Sequence, residues 1–288
     1  MMRILGFAAL LATFFAAQPT YAAESLELQQ LEHRLSISAR ENPGDFGIAA
    51  LDLTTGETIG VNSHQPFPMA STMKIAVAAA YLADVDAGRR SLHDAVGSST
   101  AYSLMDRMMV HSDNRATDEL IATLGGPQAI DRWLRSHGLS GIRVDRTIAQ
   151  LLAARRDLWD ERDSSTPMAM LELLRLVDGD KALKPQSRAM LLDMMRRCAT
   201  GKNRMRGLLP SYAQVENKTG TLNNFTTDVG YLTLSDGRRI AVAFFARGGE
   251  NRPAVIATAA RAIYDTFGSP MVLADGGKSG RVLMRAIP

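Results

Sequence analysis

The chain contains one cysteine, Cys198, among 288 residues, so no disulfide can form within it. A lone cysteine of this kind reads as a small half-buried hydrophobe near a helix end rather than as a reactive thiol. Histidine is also scarce: His33, His64, His93, His111 and His137 show no metal-ligand spacing, which disfavours a zinc hydrolase, and no metal or cofactor is expected. The absence of a G-x-S-x-G motif argues against an α/β-hydrolase triad. Neither sign of charge dominates, since the net charge is only +3, and no basic cluster is interleaved with aromatic residues; nucleic acid is not an expected partner. The apolar run from Ile4 to Ala17 is too short to span a bilayer.

What is present suits a compact exported domain. A hydrophobic content of 46% in a chain of this length can bury one large core or two closely packed lobes, and 22% charged residues is ordinary for a soluble protein. Residues 1–22 read as a signal peptide: Arg3, the apolar run, Pro19 as a breaker, and small residues before a cut after Ala22 or Ala23. Secretion to the periplasm is expected, with no membrane span after cleavage and no cysteine at the cut for a lipid anchor. Residues 23–267 form the expected folded domain, and 268–288, Gly-rich and without a periodic pattern, a flexible tail.

Within the domain, a helix before Arg40 leads to a hairpin, Phe46 to Leu53 and Thr58 to Val61, turned at Thr54-Thr55-Gly56-Glu57. Helices follow from Ser71 to about Cys198, including Thr100 to Val110 and Arg115 to Leu124. Strands are expected near Val215 to Gly220, Val229 to Leu234 and Arg239 to Ala246, and a last helix over Pro253 to Phe267. Strands at both ends and helices between them predict an α+β fold in which both chain ends build one antiparallel sheet, packed against a mostly helical middle lobe.

Three short words carry the chemistry: Ser71-Thr72-Met73-Lys74, Ser112-Asp113-Asn114 and Lys218-Thr219-Gly220-Thr221. Average residue frequencies give roughly one S-x-x-K by chance in such a chain, but only a few hundredths each of S-D-N and K-T-G. A serine hydroxyl is a weak nucleophile until a base within hydrogen-bond reach takes its proton, and residues three apart on a helix share a face. Lys74 is the only charge in an otherwise apolar helical run. Burial and a neighbouring cation lower a lysine's pKa, which would make Lys74 a neutral base. Taken singly, each word also has an ordinary reading: Lys74 as a surface lysine, Asp113 or Asn114 as a helix N-cap, Lys218 as the guard of an exposed edge strand. Gly220 would permit close approach of a ligand backbone.

On these three words the chain resembles the penicillin-recognising serine enzymes, specifically the class A β-lactamase family and its peptidase-like relatives, from about Leu28 to Phe267. The resemblance implies Ser71 as nucleophile, Lys74 as a base in acylation and Ser112 as proton shuttle. It further implies Asn114 as a substrate amide contact and Lys218, Thr219 and Thr221 as the substrate-carboxylate side. The backbone N–H groups of Ser71 and Thr221 would form the oxyanion hole. Arg146 and Asp163 match the ion pair that closes the neck of the family's omega-shaped loop. Arg204, upstream of Leu208-Leu209-Pro210, sits where some members keep an arginine that helps hold the substrate carboxylate.

The chain departs from that pattern inside the loop. Counting from Arg146, the place of the family's deacylating glutamate holds Ile148; counting back from Arg162, it holds Gln150. The partner asparagine falls on Leu152 or Ala154, and the loop is about two residues longer than usual. Asp157, Asp160 and Glu161 have no spacing match. The stretch between Lys74 and Ser112 is shorter than in most relatives, which predicts a missing wall of the cleft. The expected activity is therefore that of a serine acyl-enzyme hydrolase opening β-lactams with slow deacylation, acting as a monomer on a small-molecule β-lactam or a peptidoglycan stem peptide. Two alternatives stay open: a D-alanyl-D-alanine carboxypeptidase of the penicillin-binding type, and a binding module that acylates without turnover.

Overall fold

The computed structural model describes residues 26–154 and 157–269; the expected signal peptide and, from residue 270, the expected tail lie outside the described residues. Its helices are α1 (Leu26–Glu41), α2 (Lys74–Asp86), α3 (Ala101–Val110), α4 (Asn114–Leu124), α5 (Pro127–Ser136), α6 (Ile148–Ala153), α7 (Pro167–Asp178), α8 (Pro185–Arg196) and α9 (Arg252–Gly268). The strands are β1 (Asp45–Asp52), β2 (Thr58–Val61), β3 (Phe67–Pro68), β4 (Ala95–Val96), β5 (Ser99–Thr100), β6 (Ser164–Ser165), β7 (Gln214–Leu222), β8 (Phe225–Thr233) and β9 (Arg239–Arg247).

Five strands form one sheet in the order β2-β1-β9-β8-β7, every pair antiparallel. The pairing of β1 with β9 joins the first strand of the described residues to the last. Both faces of this sheet are covered, so β1 and β9 read as almost continuous apolar runs rather than as alternations. Ile48, Val242 and Phe244 face α1 and α9, meeting Leu31, Leu35, Ile256, Ile263 and Phe267. Ala49, Leu51, Ala243 and Phe245 face the helical lobe. That lobe is centred on α2, which is buried continuously from Lys74 to Leu82. A helix that is apolar on every side belongs inside a core, and this one carries the S-x-x-K word there.

β8 begins at Phe225, four residues before the start expected at Val229, because β7 and β8 are joined by a tight turn at Asn223-Asn224 in which Asn224 takes a left-handed φ of 57°. Thr226, Thr227 and Asp228 are polar yet buried, and so hide the strand from an apolar pattern.

Candidate active site

Ser71 lies not on α2 itself but in the 3-10 turn Ala70–Met73 that leads into it. Ala70 is held at φ 49°, a conformation costly for a residue with a Cβ, which persists only where the surroundings over-determine it. They do so here from two sides. On the loop side, Met69 N–H donates to the Asp163 carbonyl at 2.9 Å. On the sheet side, the Thr227 hydroxyl donates to the Met69 carbonyl at 3.4 Å. A Cβ on Gly220 would fall 2.9 Å from both the Ala70 Cβ and the Met69 carbonyl oxygen, so what approaches this glycine closely is the turn that carries Ser71.

One turn on, Lys74 is fully buried. Its Nζ donates to the Ser112 carbonyl at 2.7 Å, to Asn114 Oδ1 at 2.8 Å and to Ser112 Oγ at 3.2 Å. Three acceptors match the three N–H groups of an ammonium, and losing one proton would leave a lone pair on Nζ in its place. Burial, and then the positive charge of Lys218, lower the Lys74 pKa to about 7; Asp113 and Asp118 oppose the shift. The neutral amine is therefore within reach near neutral pH.

Ser112 stands at φ 60°, another strained position, on the connection between α3 and α4. Its hydroxyl accepts from Lys74 and also from Lys218 Nζ at 3.0 Å. With both lone pairs engaged, its own proton remains available for donation into the cleft. The neighbouring Asp113 is the N-cap of α4, its carboxylate accepting from Ala116 N–H at 2.9 Å while Arg107 pairs with it at 2.5 Å. The S-D-N word is thus a helix cap and a cluster contact at once.

Lys218 is fully buried on β7, the edge strand of the sheet, and also donates to the Thr219 carbonyl at 2.9 Å. Burial lowers its pKa to about 8. Thr219 Oγ1 lies 2.5 Å from Thr200 Oγ1, while Thr221 is exposed. Arg204 does not present a free guanidinium: Nη1 donates to the carbonyls of Gly220 and Thr227 at 2.9 and 3.0 Å, and Nη2 to Thr221 Oγ1 at 2.7 Å. Its one side-chain partner is thus Thr221, at the end of the K-T-G-T word.

In the loop, Arg146 Nε donates to the Asp163 carboxylate at 2.5 Å, and that carboxylate also accepts from Asp145 and Arg146 N–H at 2.8 and 3.0 Å. The loop carries the short helix α6, whose first residue, Ile148, is buried in the main core. Asp118 of α4 accepts from the N–H groups of Ile148 and Ala149 at 2.6 and 2.9 Å and so fastens α6 beside the lysine cluster. Gln150 is exposed, and its side chain folds back to accept from Thr147 N–H at 2.9 Å, closing a capping box. Of the two residues that counting brings to the glutamate's place, Ile148 faces inward and Gln150 outward. Leu152 is 47% exposed and Ala154 lines a cavity with it.

Three contributors escaped the sequence reading. Asp118 and Thr200 act through contacts that no motif announces. Asp228, fully buried behind β7, accepts from Asn217 Nδ2 at 2.7 Å and Met205 N–H at 3.1 Å, and burial raises its pKa to about 6. A polar residue directly before the K-T-G word, Asn217, was the one available signal of that buried partner.

A sequence profile of the beta-lactamase enzyme family matches residues 29–267. The carbapenem-hydrolyzing beta-lactamase KPC of Klebsiella oxytoca is 30% identical over 250 residues, covering 78% of this chain and 85% of that protein. Beta-lactamase CTX-M-8 of Citrobacter amalonaticus is 28% identical over 283 residues, 90% and 95% of the two chains. Among solved structures, a beta lactamase from Xanthomonas campestris superposes with a TM-score of 0.80 at 28% identity, covering 84% of this chain and 99% of that one.

Proposed function

The chain belongs to the beta-lactamase enzyme family, and from that premise we propose that it is a serine hydrolase in which Ser71 opens the β-lactam ring and the resulting ester is cleared slowly. The observation that carries the proposal is the convergence of Lys218 and of Lys74, which follows Ser71 by one turn, on the single hydroxyl of Ser112. Neutral Lys74 takes the Ser71 proton as Oγ adds to the lactam carbonyl carbon. The backbone N–H groups of Ser71 and Thr221 stabilise the oxyanion. The C–N bond then breaks as the Ser112 hydroxyl donates its proton to the leaving nitrogen and is re-protonated from Lys74, leaving an acyl ester on Ser71. Lys218, Thr219 and Thr221, the last oriented by Arg204, hold the substrate carboxylate, and Asn114 holds its amide.

Hydrolysis of that ester needs a base for the incoming water. Removing a positioned general base costs about a hundred- to ten-thousandfold. With Ile148 and Gln150 at the two candidate places, the slow step is deacylation. The signal-like composition of residues 1–22 supports a periplasmic setting, and we take the acting species to be the monomer.

The test is the intact mass of the mature protein against time after mixing with a penicillin, with product assayed in parallel. The proposal expects a penicilloyl adduct that forms promptly and decays over many minutes with stoichiometric product. Return to free enzyme within seconds would remove slow deacylation from the account. An adduct with no product, together with turnover of an acyl-D-Ala-D-Ala peptide, would replace it by a carboxypeptidase.

A further inference from the structure

Two segments make up the proposed carboxylate side of the site: β7, with Lys218, Thr219 and Thr221, and the turn at residues 201–207, with Arg204. The Nη atoms of Arg204 are engaged, but its Nε is buried without a hydrogen-bond partner among the described residues, so the backbone of its turn does much of the work of placing it. A buried chain of hydrogen bonds ties that turn to the sheet. Arg206 Nε donates to Asn217 Oδ1 at 3.0 Å, Asn217 Nδ2 donates to Asp228 Oδ1 at 2.7 Å, and Met205 N–H donates to Asp228 Oδ2 at 3.1 Å. Arg206 is itself fixed, since Nη2 donates to the carbonyls of Val215 and Arg196 at 2.7 and 3.0 Å. Asn217 and Asp228 are both fully buried, and a Cβ on Gly230, opposite Asn217 in the ladder, would fall 2.6 Å from Asn217 Cα. The surroundings of Asp228 are Arg204 and Arg206 from the turn, Lys218 from β7 and the apolar Phe244 opposite it on β9.

The order of donors and acceptors along this chain is forced. Both ends, Arg206 Nε and Met205 N–H, are donors, so the outer atom of each side chain between them must accept. The inner pair then needs one donor and one acceptor, which an amide and a carboxylate supply and two amides cannot. Burial raises the Asp228 pKa to about 6, which leaves it mainly ionised, and able to accept twice, at about pH 7.5. Its two oxygens are taken by an amide and a backbone N–H rather than by a cation, a costly burial for the residue considered alone.

We propose that Asp228 is a positioning residue for binding of the substrate carboxylate: paired with Asn217, it locks the turn of Arg204 to the strand of Lys218 and so sets the spacing of these two cations. The inference rests on the reading of Lys218, Thr219, Thr221 and Arg204 as the carboxylate side. What the lock requires is one amide and one carboxylate in the middle of the chain, in either order.

The experiment compares Asp228→Asn, Asn217→Asp and the double exchange of both with the parent, all at about pH 7.5, where Asp228 is mainly ionised. The half-saturating concentration and limiting rate of acylation are measured by mass spectrometry for a penicillin and for its methyl ester, and hydrogen exchange is followed in peptides covering residues 201–207. Asp228→Asn sets two amide NH2 groups against each other, so half-saturation should rise about tenfold for the acid and less than about threefold for the ester, with the limiting rate changed by less than about threefold. Exchange in residues 201–207 should quicken in the same variant. The double exchange restores one amide and one carboxylate in reversed order, and should return both readouts to within about threefold of the parent. Asn217→Asp alone should stay close to the parent, because two facing buried carboxyls keep one proton between them and that proton replaces the amide hydrogen. A loss in the double exchange as large as in Asp228→Asn would overturn the proposal, as would equal losses on acid and ester. Where Asp228→Asn does not fold, the double exchange carries the test, since it must fold and keep the parent's preference for the acid. A parent that binds the acid no better than the ester would remove the carboxylate reading and the proposal's role in binding with it. Unchanged hydrogen exchange in Asp228→Asn would overturn the lock itself, whether or not the parent is acylated.

Discussion

Around Ser112 and along the loop from Arg146 to Asp163, this molecule treats buried polar groups in opposite ways. At Ser112 it concentrates them: two buried lysines donate to one hydroxyl, each with its pKa pulled down by burial, and two strained residues, Ala70 and Ser112, hold the geometry. In the loop the side chain facing the core is an isoleucine, and the nearby polar groups are spent on architecture. Asp118 caps α6, Gln150 closes a capping box, and Asp160 pairs with Arg146 and Arg162. Under the function proposed above, the first region makes the ester and the second lacks the group that would break it, which makes acylation and deacylation separable parts of one fold.

The largest expected effect tests whether the first region is what it resembles. Ser71→Ala should abolish covalent labelling by a fluorescent penicillin with the circular dichroism spectrum unchanged, because only the attacking oxygen is lost. Labelling at the parent rate would move the nucleophile elsewhere.

Next in size is Lys74→Ala, which should slow acylation about a hundredfold or more. The pH profile of the parent sharpens this. The proposed base is the neutral form of Lys74, so below its pKa of about 7 the acylation rate should rise about tenfold per pH unit and then level off. Above about 8, Lys218 loses the charge that attracts the substrate carboxylate, so the rate should fall again. Stopped-flow rates between pH 5 and 10 decide it: a profile flat from 5 to 8 would mean that Lys74 does not take the proton.

Arg204→Ala sits lower on the scale. A charge-assisted hydrogen bond is worth about 1.5 to 3 kcal/mol, so apparent affinity for a β-lactam carboxylate should weaken roughly ten- to a hundredfold, and less for its neutral ester. Because the one side-chain partner of Arg204 is Thr221, Thr221→Val should reproduce much of that difference between acid and ester. Equal losses for both ligands in Arg204→Ala would make it a structural tie between β7 and β8 alone.

How much of this was legible in the sequence follows the same division. The ordered words located the lysine cluster because nucleophile, base and shuttle must be particular residue types. The apolar run after Lys74 located α2 because a core helix has no polar face. The hairpin before Ser71 and the helices flanking Ser112 followed from turn residues and periodicity. What stayed hidden was polar and buried: the first residues of β8, the pairing of Asp228 with Asn217, and the partners of Arg204, two of which are backbone carbonyls that no motif records. The helix inside the loop was readable in principle from Thr147-x-x-Gln150, a capping box. Counting residues alone left Ile148 and Gln150 equally placed, and only that box, by turning Gln150 outward, separates them.

The smallest expected effect bears on that separation. Gln150→Glu conserves the capping box, since glutamate closes it as well as glutamine does, and its carboxylate stays in solvent at the helix N-terminus. Decay of the penicilloyl adduct should therefore be unchanged within about twofold. Ile148→Glu replaces the inward side chain, placing a carboxylate at the end of α6 that Asp118 fastens beside Lys74. Burial would raise the pKa of such a carboxyl toward neutrality, the range in which a general base is most useful. Full rescue is not expected, because neither Leu152 nor Ala154 supplies the partner amide that steadies the water. A gain of roughly tenfold in adduct decay is the expected size, at some cost in thermal midpoint from an unpaired buried charge. If Gln150→Glu speeds decay and Ile148→Glu does not, the loop in solution presents its other face to the ester, and the contrast between the two regions has to be redrawn around Gln150.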